Sequence, residues 1–365
     1  MIRHILRGST ARVLAASITL VLGVTLSACG PDNAHSAGDK SAGGGALPKI
    51  RVATAGKVPA YAEVVWGIES GIFKKHGVDV EMTPPAFGPD VANLIINGNA
   101  EIGVSNATLV ASARDAGRPL VAIATSATPY RIQLVFTNET DQKLRGQGLS
   151  ESSKMSDLLH ALSGMTLGTY SAGSSVTGTF RYLLSESGIN PEKDNIKLQP
   201  MPDNAAQIAA VANKRVDGVV TALGGSAAAI ASQKSGVLWD LSKMSGNETL
   251  LKVSNASLLT SESVVGKSPE ALQSFLDGYR ETQKSLRAGL SAEDAARLKK
   301  LLGPDMDQGI YDQTMADVVH GFSDDYVTSE AQWDALVKIS EILKGGPISV
   351  PYDKAIDNRF AMKVK

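Results

Sequence analysis

Residues 162–184 read LSGMTLGTYSAGSSVTGTFRYLL. Met165 to Thr169 predicts a short strand. Small residues from Ser171 to Ser174 break it, Ser175 to Ser187 predicts a helix, and Gly188 ends that helix as a left-handed stop would. Downstream the order is repeated: a strand at Ile196–Met201, a helix at Ala205–Asn213, a strand at Val216–Thr221, a helix at Ser226–Gln233 and a strand at Val237–Leu241. Upstream, Ile50–Ala53 is a strand, Pro59–Lys75 a helix stopped at Gly77, and Val78–Met82 a strand broken by Pro84 and Pro85. A helix at Asp90–Ile96, a strand at Ile102–Val104, a helix at Thr108–Ala116, and strands at Leu120–Ala124 and Ile132–Phe136 follow. Strands alternating with helices of this length predict an α/β fold with parallel-rich sheets and helices on both faces.

The two halves match in residues as well as in pattern. Glu101-Ile102-Gly103-Val104-Ser105 and Asp217-Gly218-Val219-Val220-Thr221 each follow a strand, a proline-containing loop and a helix, and they lie 116 positions apart. One period of that length is too long for a solenoid and fits two similar lobes. Glu101 and Asp217 precede strand centres, so structural roles are expected for both. Residues 49–135 are assigned to the first lobe and 136–250 to the second. Residues 251–365 carry the chain back to the first lobe and into C-terminal helices packed on it. Ser268-Pro269-Glu270 is a strong helix start. Ser291 to Leu302, Ile310 to Val319 and Glu330 to Leu343 predict further helices.

The N-terminus carries an address. Arg3, Arg7 and Arg12 precede an apolar stretch, Val13 to Leu26, too short for the roughly 20 residues of a membrane span and ending in small residues as export signals do. Cys29 is the only cysteine, set in Leu26-Ser27-Ala28-Cys29-Gly30. This run resembles the bacterial lipobox, which implies cleavage after residue 28 and a diacylglycerol on the Cys29 thiol. An exported chain with one cysteine has no internal disulfide partner for it. The alternative is an ordinary secretory signal with an incidental cysteine. Residues 29–48 are mostly glycine, alanine, serine and aspartate and read as a flexible leash spanning a few tens of Å, at roughly 5–6 Å × √n. The expected location is the extracytoplasmic face of the cell membrane, with the body held to the bilayer through Cys29.

Without the signal the chain has 33 basic and 37 acidic residues, and no basic patch stands out, which argues against nucleic acid. At 43% hydrophobic and 20% charged residues, the composition is that of a globular protein with a real core.

Several blocks together resemble the substrate-binding proteins of nitrate, sulfonate, taurine and thiamine-precursor ABC transporters. They are Tyr61–Val80 (YAEVVWGIESGIFKKHGVDV), Asn97–Ser105 (NGNAEIGVS), Ala116–Leu120 (AGRPL), Leu162–Leu184 and Gly188–Gly218. Their order and spacing over about residues 49–290 carry the likeness; no single motif does. The resemblance implies the type II periplasmic-binding fold: two lobes joined by two crossovers, with a small ligand held between them. It also implies membrane permease partners with a cytoplasmic ATPase. Ile132–Phe136 and residues 251–259 are the candidate crossover strands. A monomer is expected.

In open α/β sheets ligands sit beyond the carboxyl ends of the strands. That rule selects Gly56, Lys57 and Tyr61 after the first strand, and Ser105 and Asn106 after the Ile102–Val104 strand. It also selects Tyr170, Ser171, Gly173, Ser174, Ser175, Val176 and Thr177 after Met165–Thr169, and Thr221 and Ala222 after Val216–Val220. The Gly173–Thr177 block is the sharpest. A helix N-terminus preceded by glycine presents free N–H groups and a favourable dipole to an anion, and the hydroxyls add donors. Ser174 or Ser175 could equally be an ordinary helix cap. Tyr61 offers an aromatic wall, or half-buried packing. Lys57 offers a cation, though a loop lysine is ordinarily solvated. Arg131 has a cleft role and a surface role open to it. Trp66 and Trp239 are expected in the core.

No catalytic constellation is present. The five histidines are scattered without metal-ligand spacing, and neither a G-x-S-x-G turn nor a phosphate-binding G-x-x-x-x-G-K-[ST] loop occurs. No cofactor or metal is expected. The expectation is a solute-binding lipoprotein rather than an enzyme. A ligand sensor or accessory protein, and an extracytoplasmic enzyme on the same fold, are the alternatives.

Overall fold

The computed structural model describes residues 46–83 and 88–364. The expected export signal, Cys29 and the expected leash up to Gly45 lie outside the described residues. In chain order the first part contains β1 (Lys49–Ala53), α1 (Ala62–Glu69), α2 (Ile72–Lys75), β2 (Asp79–Thr83), α3 (Gly88–Ile96), β3 (Ile102–Ser105), α4 (Thr108–Asp115) and β4 (Leu120–Ala127). The second contains β5 (Ile132–Thr137), α5 (Asn138–Gly146), α6 (Met155–Ala161), β6 (Thr166–Thr169), α7 (Ser175–Glu186) and β7 (Lys197–Pro200). It continues through α8 (Asn204–Ala212), β8 (Gly218–Ala222), α9 (Ser226–Ser232), β9 (Gly236–Asp240) and α10 (Glu248–Leu251). The chain then returns through β10 (Ala256–Ser261), α11 (Glu262–Lys267), α12 (Pro269–Ala288), α13 (Ala292–Leu302), α14 (Gln308–His320), α15 (Glu330–Lys344) and α16 (Tyr352–Ala355).

The strands form two five-stranded sheets, ordered β2-β1-β3-β10-β4 and β7-β6-β8-β5-β9. These are one topology used twice. In each, three parallel strands are followed by one strand that arrives from the other half of the chain and pairs antiparallel on both sides. The sheets are therefore mixed rather than dominated by parallel pairs. The exchange strands β5 and β10 are full sheet members. The passages between lobes are the short segments 128–131 and 252–255, which run side by side: Tyr130 N–H donates to Val253 O at 2.9 Å and Asn255 N–H to Ala127 O at 2.8 Å. The expected strand at 251–259 is divided, because α10 ends at Leu251 before β10 begins.

The repeat seen in sequence has a physical use. Glu101 accepts the Arg51 amide at 2.7 Å and the Arg51 guanidinium at 2.6 Å, while its own N–H donates to Arg51 O. Asp217 accepts the Thr166 amide at 2.7 Å and donates its N–H to Thr166 O. Each carboxylate satisfies a backbone donor of the neighbouring parallel strand, Arg51 within β1 and Thr166 at the start of β6, and so helps to set the register of β1 with β3 and of β6 with β8.

Ile50, Val52, Ile102, Val104 and Leu258 on the first sheet bury against α12, where Phe275 stacks on Phe73 with centroids 4.9 Å apart. Val135, Val219, Val211 and Ile230 form the corresponding layer on the second sheet. Trp239 is fully buried, its indole N–H donating to Asp141 at 2.7 Å. Trp66 is buried as expected and bonds Ser285.

The C-terminal helices are not confined to the first lobe. Trp333, Leu336 and Ile339 of α15 are buried in a cluster that also holds Val110 of α4 and Phe180 of α7, so this helix lies across both lobes. Helix α14 packs on α12 in the first lobe and on α9 in the second. Among the described residues no helix is long and apolar enough to cross a membrane.

Candidate functional site

The carboxyl ends of the parallel strands of both sheets converge on one cavity of about 350 Å³. Five strand-end loops line it: Ala55–Tyr61 after β1, Ser105 and Asn106 after β3, Tyr170 and Ser174–Val176 after β6, Asp203–Ala205 after β7, and Ala222–Gly225 after β8. Tyr130, Asn255 and Ala256 from the two passages close the back. Of the residues selected from sequence, Gly56, Tyr61, Ser105, Asn106, Tyr170, Ser174, Ser175, Val176 and Ala222 are brought together here. Lys57 is exposed and does not line the cavity. Ser171 and Gly173 belong to the same loop as Ser174 without lining the cavity. Thr177 and Thr221 are buried behind the wall.

The two threonines act as supports. Thr177 Oγ1 donates to Tyr170 O at 3.1 Å, and Thr221 Oγ1 is 2.9 Å from the Tyr170 hydroxyl, which also donates to Asn204 Oδ1 at 2.5 Å. Gly225 stands beside them because a Cβ there would be 2.4 Å from Thr221 Oγ1 and 2.9 Å from the Tyr170 hydroxyl. Asn106 is also spent on structure. Its Oδ1 accepts the Thr108 amide at the start of α4, and its Nδ2 donates to Ser254 O. Arg131 is 4% exposed and pairs with Asp240 at 2.6 Å, so neither its cleft role nor its surface role holds.

Three tyrosines dominate the chemistry. Tyr61 comes from the first lobe, Tyr170 from the second, and Tyr130 from the passage between them. Burial pushes the Tyr61 and Tyr170 hydroxyls up to about 12, and raises Tyr130 further above the ordinary tyrosine value. All three are therefore neutral donors and acceptors at physiological pH. The Tyr130 hydroxyl is 3.0 Å from Ser175 Oγ. Ser174 occupies the N-cap of α7 but makes no side-chain cap bond, which leaves its hydroxyl and the first amides of a twelve-residue helix at the cavity wall. Among the described residues the one charged side chain lining the cavity is Asp203, which is engaged in capping α8 through the Ala206 amide at 2.7 Å, and no lysine or arginine lines it.

Sequence reasoning missed Asp203–Ala205, Leu223–Gly225, Tyr130 and Asn255. The strand-end rule would have selected the first group had it been applied after Ile196–Met201. The passages carry no local signal, because what places them is the pairing of distant strands.

The sequence profile of the family described as NMT1/THI5 like matches residues 58–288. The chain belongs to this family. Among curated proteins no sequence matches. Solved structures similar to this NMT1/THI5-like chain include a protein of Bordetella bronchiseptica RB50, at TM-score 0.66 and 17% identity over 86% of this chain and 96% of that one. The alkanesulfonate-binding protein SsuA of Xanthomonas axonopodis pv. citri, bound to MOPS, gives TM-score 0.58 and 16% identity over 81% and 91%. The periplasmic nitrate-binding protein NrtA of Synechocystis PCC 6803 gives 0.59 and 12% over 86% and 87%. These likenesses establish the type II periplasmic-binding fold for the NMT1/THI5-like chain.

Proposed function

We propose that this protein is the extracytoplasmic solute-binding component of an ABC importer. It captures a small molecule between its lobes and delivers it to a membrane permease driven by a cytoplasmic ATPase. The observation that carries this reading is the single cavity built from the strand ends of both sheets and backed by two passages that can act as a hinge. Such a site encloses a ligand by moving one lobe against the other. The described residues offer hydroxyls, amides and helix ends rather than a nucleophile with its base, which fits binding without turnover. Cys29 and the leash support a lipid-anchored form that works as a monomer within reach of its permease.

The charge inventory narrows the ligand. With no basic side chain at the wall among the described residues, a negative group would be held by the α7 amides and by Ser174 and Ser175. Helix-end stabilisation of an anion is worth about 0.3–1 kcal/mol, and rises to about 2 when partly buried. That suits a molecule with one acidic group, of the sulfonate, nitrate or carboxylate type, and an uncharged body against Tyr61, Tyr130 and Tyr170. It disfavours a dianionic phosphate.

A thermal-shift screen tests the reading. MOPS and other sulfonates, nitrate, aromatic carboxylates and uncharged pyrimidines are the panel. A ligand at 100 times its dissociation constant stabilises by about 2.7 kcal/mol. Saturable stabilisation by one class, with the compound recovered unchanged, is the expected result. Conversion of the compound, or no stabilisation by any class, would overturn it.

A further inference from the structure

Helix α14 belongs to the first lobe by construction. Its Tyr311 and Val318 bury with Trp66, Leu286 and Leu298. Beyond its C-terminal end, Gly321 O accepts the Thr128 amide at 2.9 Å and Phe322 bridges to Ala127, so that end is fixed where the first passage begins. Its thirteen residues extend about 20 Å away from this hinge.

Along that length α14 receives the second lobe. At the far end the Asp307 amide donates to Ser232 Oγ of α9 at 3.1 Å. Leu223, 6% exposed, joins from the β8–α9 turn the apolar cluster that holds Tyr311 and Val318 of α14, while also lining the cavity. The next residue, Gly224, has φ +76°, and a Cβ there would be 2.6 Å from the Ala60 amide of the first lobe. At the hinge end Asp317 Oδ1 lies 3.4 Å from the guanidinium of Arg131, which ends the first passage and pairs with Asp240 of β9, and 3.1 Å from Lys243 Nζ of the second lobe.

We propose that α14 is the closure latch of the clamp, with Asp317 holding Arg131 and Lys243 so that the chain's own contacts keep the lobes together. Asp317, Arg131 and Lys243 are absent from the cavity wall, so they act as positioning residues, through Leu223 and Gly224. The consequence for ligand affinity rests on the transport reading above; the latch itself does not. The Asp317–Lys243 pair is partly solvated, with Asp317 18% and Lys243 55% exposed, while Arg131 is buried, so added salt weakens the latch chiefly through its Lys243 arm.

The test is hydrogen exchange on the full chain in lipid nanodiscs with no added ligand, in 0.1 M and 1 M NaCl. In Asp317→Asn at low salt, amides in 223–232 and 58–62 should exchange about twofold to thirtyfold faster. The substitution removes both ion pairs of Asp317, each worth about 0.2–1 kcal/mol, and about 1.4 kcal/mol is a tenfold change. Amides of β6 and β8 should be unchanged. Wild type at 1 M NaCl should move toward the variant, the variant should ignore salt, and Asp317→Glu should restore the wild-type pattern. Lys243→Ala, at an exposed position, carries the test if Asp317→Asn does not fold. Seam exchange equal to wild type in the folded variants, or faster exchange spread evenly over both lobes, would overturn the latch. Because no ligand is present, a normal seam response beside a blank thermal-shift screen would sink the transport reading and leave the latch standing.

Discussion

Glu63 is the residue through which pH should act on this fold. It lies in the first turn of α1, two positions after Tyr61, and is 1% exposed. Its Oε1 accepts the Tyr279 hydroxyl, and its Oε2 has no partner. Tyr279 continues to Ser126, and Gln283 ties Ser126 to Tyr326. No cation is among the groups acting on the carboxyl. Burial raises it from 4.5 to about 7, against the opposing pull of the Tyr279 hydrogen bond. Between those two values the folded chain holds a proton that the unfolded chain has lost. Stability contributed by the neutral carboxyl is thus complete below about pH 4.5 and is lost as pH rises through 7. At 1.36 kcal/mol per pKa step, the loss is roughly 3 kcal/mol between pH 4 and pH 8.

Glu63→Gln isolates this term. The amide keeps an oxygen for Tyr279 and cannot ionise, at the cost of a buried NH₂ where Oε2 stood, about 1–3 kcal/mol at every pH. Urea unfolding of both proteins at pH 5, 6, 7 and 8 should give curves that converge or cross as pH rises, wild type falling relative to the variant. Carboxylates held low by cations, such as Glu281 beside Lys75 and His76 and Asp357 beside Arg359, affect stability at lower pH and cancel in the difference. A constant offset from pH 5 to pH 8 would refute the argument, since it would mean that Glu63 titrates alike in the folded and unfolded chains.

Other outcomes follow from the same contacts. Ser174→Ala with Ser175→Ala should abolish the thermal shift given by an acidic probe such as MOPS, while the unfolding midpoint without probe moves by less than about 1 kcal/mol; an undiminished shift would remove these hydroxyls from the anion site. Gly224→Ala should remove probe binding, because a Cβ cannot fit 2.6 Å from the Ala60 amide with the lobes together, and should cost only about 1 kcal/mol in urea for its left-handed backbone; calorimetric titration separates the two effects. Glu101→Ala and Asp217→Ala should each cost about 1–3 kcal/mol in urea unfolding, Glu101 the more, since its loss also strands the Arg51 guanidinium.

What could be read in the sequence was whatever depends on near neighbours. Glycines ending helices, small residues after strands and the spacing from Glu101 to Asp217 are local, and they yielded two α/β lobes and nine of the residues that meet in the cavity. Lys57 was chosen by its place after a strand, but loop direction depends on what the loop packs against. Here Gly224 from the other lobe packs against Ala60 in the same loop. Arg131 was undecidable because its partners, Asp240 and Asp317, are 109 and 186 positions away. The same holds for α14 and α15, whose apolar faces announce that they pack without saying on what. A repeated lobe can be recognised from one strand–loop–helix stretch. The seam between two lobes cannot, since each side of it is an ordinary turn until the other arrives. The features that distinguish this clamp from others of its fold are therefore to be sought along that seam, at Leu223, Gly224 and Asp317, rather than in the Gly173–Thr177 block that marks it as a clamp.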